Sequence, residues 1–224
     1  IVAVDSRGLV HAGRDDLDTT KQEVAAPAVN GPTPDLLETV RRIRPQILVG
    51  TTGVAGTFSE AVIRAMAVAS HRPVVMPLSN PTSSAEATPA DILEWTDGKA
   101  LVATGSPFEP VERYGLRHDI GQANNVFIFP GLGLGAIVAE SRAITDRMFL
   151  LAARALANAV TPERLETGAL YPPVSMLRSV SRSIAIAVAR EAIEAGLAGI
   201  GPTADGALEA DLEAMIDTAP STIG

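Results

Sequence analysis

The sequence predicts an α/β fold in which helices cover both faces of a doubly wound parallel sheet. Short apolar segments alternate with helical segments through the first half of the 224-residue chain. Turns rich in glycine or polar residues follow these apolar segments. Continuous apolar strands separated by helices are typical of a parallel sheet that is buried on both faces. In such a sheet, ligands bind at the carboxyl ends of the strands.

The predicted strands and helices follow one another in a regular order. Apolar runs rich in β-branched residues predict strands at Ile1–Val4, Ile47–Val49, Pro73–Leu78, Ala100–Ala103 and Val126–Phe129. Apolar residues at helical spacing predict helices at Leu36–Ile43, Phe58–Ser70, Ala90–Trp95, Thr145–Val160 and Val174–Ala195. Pro34-Asp35 and Thr145 are typical helix starts, and Gly196 is a typical helix end.

Composition excludes several classes of function. The formal net charge is −8 and the basic residues are scattered, which argues against binding to nucleic acid. The chain has no cysteine, so disulfides, thiolate metal sites and cysteine nucleophiles are excluded. No apolar run approaches the roughly 18 residues of a membrane span, and no signal peptide is visible. We therefore expect neither a nucleic acid nor a membrane as partner.

Asp5 ends the first predicted strand, where two interpretations are open. In Rossmann-type folds, an acidic residue at the end of the second strand accepts hydrogen bonds from a ribose, about 20 residues after a glycine-rich phosphate loop. Asp5 could equally cap a turn. The chain opens on Ile1, without Met and already inside a strand. We therefore expect a cut chain in which the first strand and the glycine-rich loop of this domain are missing.

Polar loops follow the other predicted strands and suggest a shared ligand rim. The loop Gly50–Gly56 stands between a strand and a helix, where it could bind a phosphate or carboxamide or simply form a tight turn. Ser79-Asn80 follows the next strand, and Gly105-Ser106 the one after it. Asn124-Asn125 precedes the last predicted strand. An amide side chain offers both a donor and an acceptor to a carboxylate or amide ligand.

Groups for acid–base catalysis and metal binding are scarce. His11 and His71 are interpreted as surface residues, and His118 lies in an exposed polar run. Lys21 and Lys99 lie in polar segments, neither placed like a buried general base. No cluster of His, Asp or Glu shows the spacing of metal ligands. The sequence thus predicts a ligand rim without catalytic groups of its own.

An ordered set of motifs resembles the malic enzymes, particularly the bacterial NAD-dependent type. The motifs extend over roughly residues 1 to 199, in the order and spacing of that family. They are Val4–Leu9 (VDSRGL), Arg72–Thr82 (RPVVMPLSNPT), Ala103–Phe108 (ATGSPF), Asn124–Gly131 (NNVFIFPG) and Leu170–Pro173 (LYPP). The resemblance implies three segments: residues 1–124 as a partial NAD(P)-binding domain, 125–199 as a mainly helical segment that returns to the malate-binding domain, and 200–224 as a tail without an assigned role.

The resemblance also implies roles for particular residues. Asp5 would meet the adenosine ribose of NAD, with Arg7 and Arg14 nearby. Four further residues would line the cofactor cleft: Thr51, Thr52, Leu78 and Ser79. Asn80 and one of Asn124 or Asn125 would bind malate and the nicotinamide end of the cofactor. NADP stays an alternative, because Lys21 could meet its 2′-phosphate unless Gln22 holds that position.

The implied reaction is oxidative decarboxylation of L-malate to pyruvate and CO₂, with hydride transfer to NAD(P). The family's base, a Lys, its acid, a Tyr, and the carboxylates that hold Mg²⁺ or Mn²⁺ would all precede this chain. We therefore expect no catalytic residue and no metal ligand within it, and no activity from the 224-residue chain alone. Its partner would be the missing N-terminal part of the enzyme, in a cytoplasmic homo-oligomer, either a dimer or a tetramer.

Two alternatives remain open at this stage. One is another Rossmann-type oxidoreductase, such as an amino-acid or tetrahydrofolate dehydrogenase. The two amide loops at Asn80 and Asn124-Asn125 argue against it, because paired amides suit a hydroxy-dicarboxylate. The other is a non-catalytic fragment that binds a nucleotide or only another chain. Such a fragment would hold a dinucleotide poorly, because it lacks the backbone donors of a phosphate loop.

Overall fold

A computed structural model of the chain describes residues 1–200 together with Ala210 and Ala214. Most of the segment predicted as a tail, 200–224, therefore lies outside the described residues. The chain divides into two compact units, Ile1–Ile120 and Gly121–Gly224. The division falls four residues before the predicted boundary at 124, and the functional assignment of the segments stays a prediction.

The first unit is built around parallel strands. Its elements in chain order are β1 (Val4–Asp5), β2 (Gly8–Leu9), α1 (Thr19–Val24), α2 (Leu36–Ile43), β3 (Ile47–Gly50), α3 (Glu60–Ala69), β4 (Val74–Pro77), α4 (Pro89–Trp95), β5 (Leu101–Thr104), β6 (Val111–Arg113) and β7 (Leu116–His118). β4 lies between β3 and β5 and pairs with both in parallel, Val74 standing opposite Ile47 and Leu101. The predicted α/β fold with a parallel sheet is confirmed. The carboxyl ends of these strands all meet at one edge.

Helix caps explain where the helices begin. The Asp35 carboxylate accepts a hydrogen bond from the backbone N–H of Glu38, and Thr88 does the same for Asp91. Thr145 caps the helix α6 (Asp146–Asn158) through Met148, as predicted. Each cap satisfies a backbone N–H that has no partner within its helix. These local signals account for the agreement at the starts of α2, α4 and α6.

The core of the first unit lies between the sheet and its helices. It contains Ile63, Met66, Val75, Ile92, Leu93 and Val102, all at most 2% exposed. On β3, Ile47 is 58% and Val49 53% exposed, so the described residues leave one face of this strand open. Leu48 and Gly50 form the buried face of that strand. An apolar run of four residues cannot show which of its faces is covered, since successive side chains point to opposite faces.

Two predictions about the first unit are wrong, one on the opening strand and one on His11. The opening run is not a parallel strand: β1 pairs antiparallel with β2, joined by the turn at Ser6-Arg7. His11 is not a surface residue, since only 4% of it is exposed. Its Nδ1 accepts a hydrogen bond from Gly13 N–H, which leaves the proton on Nε2 for Thr33 Oγ1 at 3.1 Å. His11 therefore joins the loops around β2 rather than facing a ligand.

The second unit is mainly helical. It contains β8 (Gly121–Gln122), α5 (Phe129–Val138), α6, α7 (Pro162–Glu166) and α8 (Leu177–Glu194). The strand predicted at Val126–Phe129 is instead a 3₁₀ turn over Asn125–Phe127 followed directly by α5. The Asn124 side chain accepts from Val126 N–H at 2.9 Å, and Pro130 fits the first turn of a helix. These two helix-start signals outweigh the strand preference of a short apolar run.

Close packing between α5 and α8 depends on glycine. A Cβ atom at Gly131 would lie 2.5 Å from the Ser181 carbonyl oxygen, and one at Gly135 would lie 2.5 Å from that of Ala185. Gly133, on the other side of α5, has no neighbour within 4 Å. The buried side chains around this contact include Phe127, Leu132, Met148, Ile184 and Val188. None of the described helices combines the length and apolar character needed to cross a membrane.

Candidate functional site

The carboxyl edge of the parallel sheet carries the residues that the sequence placed on a ligand rim. β3, β4 and β5 end at Gly50, Pro77 and Thr104, and the loops that follow begin at the same edge. Thr51 and Thr52 are exposed, Leu78 is half-buried and Ser79 is buried. Leu78 N–H donates to the Gly50 carbonyl at 2.9 Å, which joins the first two loops. Such an edge is where open α/β sheets bind their ligands.

A buried carboxylate, Glu86, joins the loops after β3 and β4. Its Oε1 accepts hydrogen bonds from the Thr52 N–H at 2.7 Å, the Thr52 hydroxyl at 2.9 Å and the Ser79 hydroxyl at 2.5 Å. Burial raises the pKa of Glu86, but the hydrogen bonds from Ser79 and Thr52 outweigh it, so the net pKa is lowered. Thr52 and Ser79 are thereby held together as predicted rim residues. Sequence reasoning missed Glu86, whose signal was a single acidic residue between two alanines.

The loop after β5 meets the loop after β4 through Asn80. The Ser106 hydroxyl donates to the Asn80 amide oxygen, and the Asn80 amide nitrogen approaches the Leu78 carbonyl at 3.4 Å. A Cβ atom at Gly105 would lie 2.1 Å from the Leu78 carbonyl oxygen. Glycine is therefore required where these two loops approach each other. Asn80 itself is exposed, so its amide group is accessible from solvent.

Asp5 lies in a second cluster, built from ion pairs. Arg14 Nη1 donates a hydrogen bond to Asp5 Oδ1 at 2.8 Å, and Arg14 Nη2 donates to Asp5 Oδ2 at 2.9 Å. Nη2 also donates to Asp16 Oδ2 at 2.6 Å. The Arg14 side chain is 6% exposed, whereas that of Asp5 is 22% exposed. Arg7 pairs with Asp16 at 3.0 Å. Asp5, Arg7 and Arg14 are thus brought together as predicted, with Asp16 as a fourth member that the sequence analysis did not single out.

Lys21 completes the set of donors around Asp5. Its Nζ lies 2.8 Å from Asp5 Oδ2, while Arg7 N–H donates to Oδ1 at 2.9 Å. With the two hydrogen bonds from Arg14, each oxygen of the Asp5 carboxylate accepts two hydrogen bonds. The Arg14 hydrogen bonds, followed by those of Lys21 and Arg7, hold the pKa of Asp5 well below its usual range against the effect of burial. Lys21, which is 35% exposed, is the donor that a ligand could displace most easily.

The lowered pKa of Asp5 makes stability depend on acid. A carboxylate with a depressed folded-state pKa contributes stability above its unfolded pKa, 3.8, and loses it as the pH falls towards the lower folded value. We expect the urea midpoint of unfolding to decrease between pH 5 and pH 3, and to decrease less in Asp5→Asn. The control Asp97→Asn changes an exposed residue, so its urea midpoint should decrease between pH 5 and pH 3 by as much as that of the wild type. If the urea midpoint of Asp5→Asn decreased as much as that of the wild type, Asp5 would not be the source of this acid sensitivity.

The remaining predicted site residues lie in the second unit. Asn124 is half-buried and uses its amide oxygen as a helix cap for Val126, while Asn125 is exposed at the start of the 3₁₀ turn. Tyr171, interpreted as a packing residue, lies with its ring centroid 6.4 Å from that of Phe127. Burial raises the pKa of the Tyr171 hydroxyl. This surrounding fits packing better than proton transfer.

The carboxylates near Arg14 are held in ion pairs and do not form a metal site. Within residues 1–200, no three His, Cys, Asp or Glu side chains form a group that could hold a metal ion. The carboxylates of Asp5 and Asp16 are engaged by arginine and lysine instead. The residues present therefore do not fit the divalent cation that the resemblance implies.

Comparison with known proteins identifies the family. The domain family described as "Malic enzyme, NAD binding domain" matches residues 1–193. The chain belongs to the malic enzyme family. The resemblance seen in the sequence motifs is thereby confirmed. The relatives of this chain include NAD-dependent and NADP-dependent malic enzymes.

Individual relatives agree with the malic enzyme assignment. An NAD-dependent malic enzyme of Aliivibrio fischeri is 45% identical over 203 residues, covering 88% of this chain and 36% of the relative. An NADP-dependent malic enzyme of Vitis vinifera is 44% identical over 197 residues, covering 87% and 33%. The crystal structure of the Entamoeba histolytica malic enzyme matches 97% of this chain and 42% of its own, with a TM-score of 0.76 and 26% identity. The chain thus spans about a third of the length of the relatives it matches.

Proposed function

We propose that this chain supplies most of the dinucleotide-binding part of a malic enzyme, which oxidises L-malate with NAD and releases pyruvate and CO₂. The observation that carries the proposal is the match to the NAD-binding domain of that family over residues 1–193. The geometry of the rim supports it, because two loops at the carboxyl edge of a parallel sheet are linked through buried hydrogen bonds. When bound, NAD would accept a hydride from C2 of malate.

The residues of this chain fit the dinucleotide in two places. The exposed loop from Thr51 to Gly56 contains two open glycines of positive φ, Gly53 and Gly56, where a ligand can approach the backbone closely. Leu78 and Ser79 would line the same cleft. The family resemblance assigns Asn80 and one of Asn124 or Asn125 to malate and the nicotinamide end of the cofactor. Asp5 would accept hydrogen bonds from the adenosine ribose, with Arg7 and Arg14 holding it in place.

The divalent cation and the proton-transferring Lys and Tyr are proposed to come from outside this chain. Support comes from the short span of the chain along its relatives. The oligomeric state and the cytoplasmic location stay predictions.

We propose NAD rather than NADP as the preferred cofactor. Lys21 is bound to Asp5, and the Gln22 amide donates to the Leu17 carbonyl at 3.1 Å, so a 2′-phosphate would have to compete with the Asp5 carboxylate for Lys21. A ribose hydroxyl, by contrast, is a donor that suits Asp5 once Lys21 moves aside. The named relatives include both NAD- and NADP-dependent enzymes, so the preference rests on these contacts.

Steady-state kinetics of the full-length protein with malate, Mn²⁺ and either cofactor tests the proposal. We expect malate-dependent reduction with a higher kcat/KM for NAD, and a Lys21→Ala variant that loses activity with NADP more than with NAD. The 224-residue chain alone is expected to show no malate oxidation. Absence of malate oxidation in the full-length protein would overturn the proposed reaction, and a clear preference for NADP would overturn the choice of cofactor.

A further inference from the structure

Glu86 stands out because it is a fully buried acidic residue without a cationic partner. It lies between the 3₁₀ turn Thr82–Ser84 and α4, and none of its surface is exposed. Among the described residues it forms no ion pair; its partners are neutral donors. A buried charge without a counter-ion is costly and persists only where several hydrogen bonds stabilise it. This arrangement requires an explanation beyond packing.

The donors around Glu86 come from the two loops of the cofactor rim. Thr52 gives its N–H and its hydroxyl, and Ser79 gives its hydroxyl together with its N–H at 3.4 Å. The backbone carbonyl of Glu86 also accepts from Phe58 N–H at 3.1 Å, at the far end of the loop after β3. Glu86 therefore contacts both ends of that loop and the start of the next one.

The carboxylate also sets the direction of both hydroxyl groups. Because Ser79 Oγ donates its proton to Glu86, its lone pairs accept from Gly53 N–H at 2.8 Å. Thr52 Oγ1 likewise donates to Glu86 and accepts from Val54 N–H at 3.1 Å. A carboxylate only accepts, so the ionised form of Glu86 suits the donors that face both of its oxygens. The ionised form thus arranges the backbone of residues 52–54 through two hydroxyl relays.

Space at the strand end is reserved for this carboxylate. A Cβ atom at Gly50 would lie 2.7 Å from Glu86 Cδ and 2.6 Å from Phe58 Cζ. The last residue of β3 must therefore be glycine for Glu86 to reach Thr52. Gly50, Ser79 and Glu86 are buried, and Glu86 holds the exposed Thr52 from beneath.

We propose that Glu86 is a positioning residue that sets the shape of the cofactor cleft by tying the Thr51–Val54 loop to Ser79. This inference rests on the proposed function, since it assumes that these loops bind the dinucleotide. Glu86 itself lies beneath the rim and acts through Thr52 and Ser79, without touching the reacting atoms. Charged hydrogen bonds are stronger and more directional than neutral ones, which explains a carboxylate rather than an amide at this position.

The test compares Glu86→Gln with wild type in the full-length protein, using NADH fluorescence to measure binding and kinetics to separate the substrates. We expect NADH affinity and kcat/KM for NAD to fall roughly 10-fold, as losing charged hydrogen bonds would cause. The KM for malate at saturating NAD should change less than twofold. Glu60→Gln removes a carboxylate in an exposed pair with Arg64 and should leave both values unchanged.

A double-mutant cycle with Ser79→Ala checks that Glu86 acts through Ser79. We expect the two losses in NADH affinity to be clearly less than additive. Additive losses, or NADH affinity within twofold of wild type in a folded Glu86→Gln variant, would overturn the inference. If Glu86→Gln does not fold, Glu86→Asp replaces it, and unchanged NADH affinity in that variant would also overturn it. A wild-type protein that binds no NADH would instead contradict the proposed function.

Discussion

Replacement of Asp5 by alanine is expected to weaken NAD binding roughly 10- to 100-fold, the range that follows from losing hydrogen bonds to a charged group. The carboxylate is the acceptor proposed for the adenosine ribose. Its removal also releases Lys21 and one side of Arg14, which then offer positive charge to a 2′-phosphate. The variant should therefore lose less affinity for NADP than for NAD. Titration of the full-length protein with NADH and NADPH, followed by fluorescence, measures both.

Asp16→Asn is the matched control for this experiment. Asp16 contacts the same guanidinium of Arg14 at 2.6 Å, and the hydrogen bond from Arg14 lowers the pKa of Asp16 against the effect of burial. The variant disturbs the ion-pair cluster without removing the proposed ribose acceptor. We expect it to keep NADH affinity within about threefold of wild type, the size of a neutral hydrogen bond or less. Equal losses in Asp5→Ala and Asp16→Asn would mean that the cluster is structural and that Asp5 does not contact the ribose.

Replacement of Gly131 by alanine is expected to lower the free energy of unfolding by about 1–3 kcal/mol or more, because the added methyl group overpacks the contact of α5 with α8. A Cβ atom there would meet the backbone carbonyl of Ser181 at 2.5 Å and the Ile184 Cβ atom at 2.7 Å. Neither neighbour can rotate away, so the two helices would have to separate. Urea denaturation followed by circular dichroism measures the difference.

Gly133→Ala is the control in the same helix. Nothing lies within 4 Å of a Cβ atom at Gly133, and alanine is the better helix former. This variant should raise the free energy of unfolding by about 0.5–1 kcal/mol. Similar effects of the two substitutions would show that helix propensity, rather than the packing of α5 on α8, decides the outcome.

Local signals were sufficient for several elements of both units. Asp35, Thr88 and Thr145 cap helices whose starts can be predicted, because the capping side chain acts on backbone groups two or three residues away. The parallel arrangement of β3, β4 and β5 follows from alternation of strands and helices. The strand predicted at Val126–Phe129 failed because a short apolar run suits either structure, and a nearby cap and proline decided for a helix.

The candidate site divides in the same way. The positions of Asp5 at the end of a strand and of the loops at Thr51, Ser79 and Asn80 just after strands could be predicted from the sequence, and their ligand roles stay predictions. Glu86 could not, since its role depends on partners 34 and 7 residues away that only the folded chain brings together. The sequence motifs could name the family, but they do not show that Lys21 is held by Asp5.

By itself, the sequence determined the starts of α2 and α6, the alternation of strands and helices in the parallel sheet, and the family, since all of these depend on neighbouring residues or on ordered motifs. Only the tertiary structure decided which groups form hydrogen bonds, ion pairs or close van der Waals contacts with one another. Examples among the described residues are the exposed side chains of β3, the burial of His11 and the glycine contacts of α5. The physical reason is that burial, ion pairing and van der Waals contact act across space, between residues whose distance along the chain carries no information about them.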